Sequence, residues 1–379
     1  GLRRAAMMAD EKDPSGVETS THFKFWIFSQ AQIAGKRKDL NDAVKQRLKS
    51  YAAKSGKKPK PALTLDEERR LHEYFHNQIF AVCDGFKFPF DIIATAQVFW
   101  KRFYLNRSAM DHEPTRMMPA MIYLATKTEE ANIKSEHLAK LFHCKIAHII
   151  DQEVPVLEGL NFHLKILHPR RPLQRFCNLV AASPIGKSIS TKLRKKAMIL
   201  IKHSYYTDAS LLYPPSQIAL CSLILVNRKE KLCRESNLLS TCLSTCPPRG
   251  ANELVTLKKH IEVIVGTLEK GERIHKAFAS KESKGKLQKE ANALSSKLRK
   301  ALNPMNDPTS VEYKKQKEAR KRKKAQQKAE KAKKRRAEER EKERLIFGGG
   351  DDEGGEFVIK SNLKNFKPRP PPPQPPGAN

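Results

Sequence analysis

At 379 residues the chain has room for two packed domains and tails, since single hydrophobic cores stop growing near ~250–300 residues. Hydrophobic residues make up 39% and charged residues 30%, at a mean hydropathy of −0.61, so one part of the chain must build a core while another stays solvated. A net charge of +32 calls for an acidic partner, and the richest apolar run, Ala219 to Val226, is far short of the ~18 residues of a membrane-spanning helix.

The first residues, Gly1-Leu2-Arg3-Arg4, lead to no apolar leader segment before Asp10, so secretion is not expected, and the natural start is expected at Met7 or Met8. Residues 1–22 are polar and are expected to be disordered. An aromatic cluster follows, Phe23, Phe25, Trp26 and Phe28, and then an amphipathic stretch from Ser29 to Tyr51. In it Ile33, Leu40, Val44 and Leu48 are spaced for one face of an appended helix. Gly56-Lys57-Lys58-Pro59-Lys60-Pro61 marks a linker.

From Thr64 the pattern is helical throughout. Thr64-Leu65-Asp66-Glu67 has the form of a capping box, and the helix after it carries Leu71, Phe75, Ile79 and Val82 on its inner face. Asp91 to Tyr104, with Ile92, Ala96, Phe99 and Phe103, predicts a largely buried second helix. A third is expected from about Thr115 to Glu130, with Pro119 tolerable only in its first turn. Ser135 is expected to cap a short fourth, and a fifth covers about Ile146 to Leu160. Beyond His168-Pro169-Arg170-Arg171-Pro172, five more helices are predicted, at Leu173 to Ala181, Thr191 to Tyr206, Pro215 to Asn227, Glu235 to Leu243 and Glu253 to Leu268. The string from Pro119 to Thr126 matches that from Pro215 to Ser222 in its Pro, Ile and Leu positions, which together with the parallel helix count suggests a duplication.

After about residue 280 the apolar periodicity fades. Lys281 to Arg344 holds 24 Lys/Arg against 10 Asp/Glu, nearly half of the net charge, and Val311 to Leu345 reads as a charged helix or coil. Within it, Lys321-Arg322-Lys323-Lys324 and Lys333-Lys334-Arg335-Arg336 have the composition of nuclear import signals or of a nucleic-acid contact, and the scarcity of aromatics argues against base stacking. Gly348 to Gly355 is an acidic, flexible break, and Pro368 to Pro376 is polyproline.

Chemistry-bearing motifs are few. His72-Glu73-Tyr74-Phe75-His76 fits the helical HExxH zinc pattern, but no third ligand follows at a suitable spacing and the helix already reads as a core element. Gly186-Lys187-Ser188 has neither the earlier glycine nor the preceding strand of a phosphate loop. Seven scattered cysteines, including Cys242 and Cys246, read as reduced core thiols. No nucleophile, base and orienting group stand together, so no enzymatic activity, no metal and no cofactor are expected.

Three strings carry a family resemblance: Trp100-Lys101-Arg102-Phe103-Tyr104-Leu105, Leu124-Ala125-Thr126-Lys127-Thr128-Glu129-Glu130, and Leu160-Asn161-Phe162-His163-Leu164. Together they resemble the cyclin box. With Thr207-Asp208-Ala209, Leu211-Leu212-Tyr213 and Pro215-Ser216-Gln217-Ile218-Ala219-Leu220, the chain is similar to the cyclin H group of that family over about residues 23–270. The resemblance implies an all-α fold, two tandem five-helix cyclin-fold repeats with flanking N- and C-terminal helices and a charged, largely disordered tail. The expected divisions are residues 1–22, an N-terminal helix and linker over 23–62, repeats at 63–165 and 166–270, a basic tail at 271–347, and a flexible end at 348–379.

It further implies a nuclear regulatory subunit that switches on a cyclin-dependent kinase, namely the CDK-activating kinase with its assembly factor, within general transcription factor IIH. Lys127 and Glu153 match the family's box lysine and glutamate, and Leu124, Phe162 and Leu164 would line the apolar groove beside them. Pro155 implies that the helix bearing Glu153 begins near it or bends there. Leu71 to Phe75 stands at the family's substrate-docking patch without matching it. Other transcriptional cyclins of the C, K, L or T type, and a basal transcription factor of the same fold binding DNA directly, are the alternatives. A weak nucleic-acid contact through the basic tail completes the expected partners, and no membrane partner is expected.

Overall fold

The computed structural model describes residues 20–54, 56, 61–131, 133–245, 247–248, 250–302 and 310–347. The disordered N-terminus expected over residues 1–22 lies outside the described residues as far as residue 19, as do residues 57–60 of the linker, Cys246 and the acidic and polyproline end; at residues 20–22 the expectation is corrected, because Thr21 opens a helix and His22 is buried. Among those described, the secondary structure is helical and contains no strand. One unit extends to Tyr313, and a second takes in Lys314 onward.

Helix α1 (Thr21–Trp26) starts where Ser20 caps it, the Ser20 hydroxyl accepting from the Phe23 amide at 3.2 Å. Helix α2 (Gln30–Lys54) buries Ile33, Val44 and Leu48 as the spacing predicts, but Leu40 is only half-buried and the neighbouring Asn41 takes its place on the seam. The amide is tolerated there because it donates to Glu68 Oε2 at 2.7 Å and to the Leu63 carbonyl at 3.3 Å.

The first repeat comprises α3 (Leu65–Gly85), α4 (Phe90–Asn106), α5 (Pro114–Thr128), α6 (Ser135–Leu141) and α7 (Ile146–Gly159). The capping box forms as expected: Thr64 Oγ1 accepts from the Glu67 amide at 3.2 Å while Glu67 Oε2 accepts from the Thr64 amide at 2.8 Å. Leu71, Phe75 and Ile79 are buried, whereas Cys83 rather than Val82 continues the face, four residues after Ile79. Helix α4 is buried from Ile92 to Leu105 and forms the centre of the repeat. Pro114 opens α5, so Pro119 falls in the second turn and not the first; the helix forfeits one backbone bond there and continues to Thr128 with Pro119 buried. Ser135 is the first residue inside α6, with Lys134 at the cap position and no side-chain cap bond.

The second repeat contains α8 (Arg170–Ala182), α9 (Lys187–Ser204), the single turn α10 (Ala209–Leu212), α11 (Pro215–Glu230), α12 (Glu235–Cys242) and α13 (Ala251–Ala279). Its core centres on Ala197, Leu220, Leu223 and Leu268. Pro215 opens α11 as Pro114 opens α5, so helix starts pair those two prolines, five residues away from the pairing that sequence similarity suggests. Helix α14 (Lys281–Ala301) then returns to the first repeat, where Leu294, Leu298 and Leu302 enter its core. The fading periodicity after residue 280 thus conceals a sparse stripe, Leu287, Ala291, Leu294, Leu298 and Leu302, diluted by lysines. Lys297 clamps Glu67 at 2.6 Å, Arg70 reaches Glu290 at 2.6 Å and Tyr74 donates to Gln288 at 2.5 Å, so α14 lies against α3 at the stretch that stands at the family's substrate-docking patch without matching it.

Buried polar groups fasten the two repeats together. Lys101 of α4 donates to the Tyr205 carbonyl at 2.6 Å and to that of Thr207. Thr95 bridges Glu129 at 2.6 Å and His168 at 2.8 Å, and His168 meets the Tyr205 hydroxyl at 2.8 Å. Burial pushes the His168 imidazole down to about 4, against the pull of Asp91, so it is neutral in this network. Arg37 of α2 grips Asp208 with two bonds of 2.8 and 2.9 Å, and Arg102, fully buried, lies over the Trp26 ring at 4.8 Å. The N-terminal helices therefore lock onto both repeats.

Helix α15 (Val311–Phe347) belongs from Lys314 on to the second unit and carries no apolar stripe.

Candidate functional site

Helices α5 and α7 lie side by side in the first repeat, and their packing brings two of the predicted residues together. Lys127, in the last turn of α5, donates to Glu153 Oε1 at 2.5 Å. The ammonium also stands 4.4 Å from the centre of the Tyr123 ring one turn back. Partial burial disfavours its charge, but the Glu153 bond and charge together with the Tyr123 side chain outweigh this and hold the Lys127 pKa above its ordinary value. A lysine carries three N–H donors, so the pair retains donors for an incoming group.

Glu153 can take this position because α7 runs unbroken from Ile146 to Gly159 through Pro155. Of the two readings of Pro155, a helix start near it is set aside: the helix begins at Ile146, where the spacing predicts it, and Glu153 sits in its interior. The end of α7 is held by a close approach. A Cβ on Gly159 would come within 2.4 Å of the Phe103 ring, and the Gly159 carbonyl accepts from Asn106 Nδ2 at 2.9 Å.

Beyond Gly159 the backbone closes a Schellman motif. The Phe162 amide bonds the Leu157 carbonyl at 2.9 Å and the Asn161 amide bonds that of Glu158 at 3.1 Å. Asn161 and Phe162 both have positive φ, 52° and 58°, which is ordinary for Asn and strained for Phe. The strained turn throws the Phe162 ring outward, where it is 64% exposed. Of the other predicted groove residues, Leu164 is half-buried against the first core, and Leu124 is buried at 3%. Leu124 is a correction: it is a core residue of α5 and presents no surface, because the exposed side of that turn belongs to Lys127.

Three functional candidates lie outside the sequence reading. Ile146, Ile150 and Val154 are exposed at 38%, 50% and 56%, and their four-residue spacing lines them up along α7 beside Glu153. Ile149 and Val156 fill the buried side. The available signal was an excess: a helix needs one apolar stripe to dock, and this one has two.

The other motifs end elsewhere. His72 packs on the Tyr104 ring at 4.2 Å and stands 3.7 Å from Glu68, while His76 is buried, with its ring 6.3 Å from that of Tyr206. Among the described residues no group of three or more His, Cys, Asp or Glu is placed to hold a metal ion, and no helix is long and apolar enough to cross a membrane. Gly186 has φ +88° and leads into α9 from a turn. On α15, Arg322, Lys323, Lys333, Lys334, Arg335 and Arg336 are exposed, and the side chains of Lys321 and Lys324 lie outside the description.

Comparison with known proteins places this geometry in a lineage. Residues 46–165 match the family described as Cyclin, N-terminal domain, and residues 168–276 the one described as Cyclin C-terminal domain. A cyclin-H1-1 of Arabidopsis thaliana is 32% identical over 237 residues, covering 55% of this chain and 70% of the relative. A cyclin-H of Xenopus laevis is 31% identical over 239 residues, covering 59% and 72%. Among solved structures, the CAK complex of Chaetomium thermophilum bound to ATP-γ-S contains a chain with TM-score 0.70 and 24% identity, covering 80% of this chain and 93% of that one. The yeast TFIIK complex contains one with TM-score 0.54 and 21% identity, covering 66% and 99%. The last two are likenesses of fold.

Proposed function

The chain belongs to the cyclin family, and from that premise we propose that it is a cyclin H-type regulatory subunit that binds and activates a cyclin-dependent protein kinase. The observation that carries the reading is the half-exposed Lys127–Glu153 pair set beside an exposed aliphatic row on one helix. The exposed half of such a row adds nothing to the packing within the chain and offers a face to a partner helix, at about 25 cal/mol for each Å² of apolar area covered. The pair at its edge can bond the backbone polar groups at the end of that helix, which fixes register as well as position. Phe162, held outward by its turn, extends the face.

The kinase segment that packs here is its regulatory helix. Held in one orientation, that helix presents its glutamate to the lysine that positions ATP phosphates, which is how a non-catalytic subunit raises phosphoryl transfer. The rigidity this demands is provided by the buried Lys101 and His168 links between the repeats and by the terminal helices clamped across them. In the same reading the kinase is a CDK-activating kinase that acts with an assembly factor as part of general transcription factor IIH. The chain is nuclear, and the basic clusters of α15 serve import or a weak nucleic-acid contact.

The test is kinase activation by the purified full chain carrying Lys127→Ala and Glu153→Ala together. Activity is expected to fall at least about 100-fold, with an unchanged circular dichroism spectrum and melting temperature. Activation at the wild-type level would overturn the assignment of the surface.

A further inference from the structure

From Gly159 to Thr207 the chain contains ten Lys or Arg residues and no Asp or Glu. This stretch supplies both α8 and α9, which pack against each other in the second repeat. Some of the cations are neutralised from outside: Arg170 by Asp91 at 2.6 Å and Lys196 by Glu230 at 2.5 Å. Lys187, Lys192 and Lys195 are exposed on α9, and none of them has a carboxylate partner among the described residues. Arg194 is exposed as well and crosses to α8, donating to Gln174 Oε1 at 2.6 Å, so the solvent faces of the two helices form one continuous surface.

Ile199, 49% exposed, stands on this surface one turn beyond Lys195. Sugar-phosphate backbones offer little to cover an aliphatic side chain, whereas a polypeptide can pair carboxylates with the lysines and bury the isoleucine in the same contact. A basic tail is excluded as occupant by like charge.

We propose that the α8–α9 face of the second repeat is a docking surface for a segment of a protein partner that is rich in Asp and Glu and carries aliphatic side chains. The inference stands apart from the kinase-binding reading, since it uses a different repeat and none of its residues.

Fluorescence anisotropy of the full chain provides the test, with a labelled amphipathic peptide of alternating Glu and Leu turns as one probe and a labelled 20-base-pair duplex as the other. Lys192→Glu, Arg194→Glu and Lys195→Glu combined are expected to weaken peptide binding about 10-fold or more. Ile199→Ser is expected to weaken it about 3-fold and leave duplex binding unchanged. Charge reversal of Lys333, Lys334, Arg335 and Arg336 together is expected to change peptide binding less than either. Wild-type peptide affinity in the triple variant, or a loss produced by the tail variant instead, overturns the proposal. So does an Ile199→Ser variant that leaves the peptide untouched while the triple variant loses both probes alike, which is the pattern of a nucleic-acid surface. Should the triple variant unfold, Lys195→Glu alone answers the question, with about a 3-fold loss expected and none overturning it.

Discussion

Counted from the proline that opens each helix, Lys127 of α5 and Arg228 of α11 occupy the same position, thirteen residues along, and the two repeats treat that cation in opposite ways. Lys127 bonds one carboxylate, with its side chain 44% exposed beside an aliphatic row that faces solvent. Arg228 is held between two carboxylates: Glu235 takes two bonds of 2.8 Å and Glu262 two of 2.6 and 2.9 Å, which hold its pKa above the ordinary arginine value. The cation at this helical position is thus an open contact in one repeat and a staple between helices in the other. Bidentate guanidinium geometry suits the staple, and the compact ammonium suits a site that must accept a newcomer.

The contrast is broken most forcefully on the exposed row. Ile150→Asp with Val154→Asp puts two charges on the face that the kinase helix would cover, and activation is expected to fall about 100-fold or more while the melting temperature holds, because neither side chain is in the core. Arg228→Ala in the same assay is expected to leave activation within about 2-fold. Equal losses from the two changes would mean that the repeats share the function.

Next in size is the anchor of α14. Leu298, 1% exposed, fills the first-repeat core from a helix distant in sequence, so Leu298→Ala is expected to cost about 2–5 kcal/mol in urea unfolding. A cost below about 1 kcal/mol would show that α14 is only loosely applied. The effect belongs to the first repeat and tests whether its open surface depends on a helix contributed from beyond the second.

The helices and their inner faces were readable because helical period and capping leave direct marks: Thr64 with Glu67, and Leu71, Phe75 and Ile79. The Lys127–Glu153 pair was readable only through family likeness, since nothing local in sequence says that α5 and α7 are neighbours. What stayed hidden depends on burial. Leu124 and Ile150 are both aliphatic residues on amphipathic helices, and only packing decides that one faces the core and the other solvent. Leu294 and Leu298 were lost among lysines because long charged side chains can cover a narrow apolar seam. The inter-repeat bonds of Lys101 were invisible for a related reason, as a buried lysine finds its acceptors in backbone carbonyls that carry no side-chain signature.

A smaller, distributed effect is expected with pH. Burial holds the His112, His168 and His203 imidazoles each at about 4, below the ordinary histidine value. Between about pH 6.5 and 4 the unfolded chain therefore binds protons that the folded chain refuses, and the stability these neutral rings contribute, complete above that range, is lost as pH falls. The urea midpoint is expected to drop from pH 7 to pH 5, and a flat profile would contradict the buried, neutral state of the rings. His112 belongs to the first repeat and His203 to the second, so single His→Gln variants report how the loss divides between them.

The smallest expected effect lies in the staple itself. Arg228→Ala leaves Glu235 and Glu262 facing each other without the cation between them, but both carboxylates keep access to water. The geometry is better than that of an isolated surface pair, and exposure discounts it, so the cost in urea unfolding is expected near 1 kcal/mol. Repulsion between the abandoned carboxylates should make up part of that figure. Glu262→Gln added to Arg228→Ala is therefore expected to recover some of the stability, whereas Glu262→Gln alone should lower it. If the double variant is no more stable than Arg228→Ala, the carboxylates do not sense each other, and Arg228 contributes through two independent bonds and not as a staple across α11, α12 and α13.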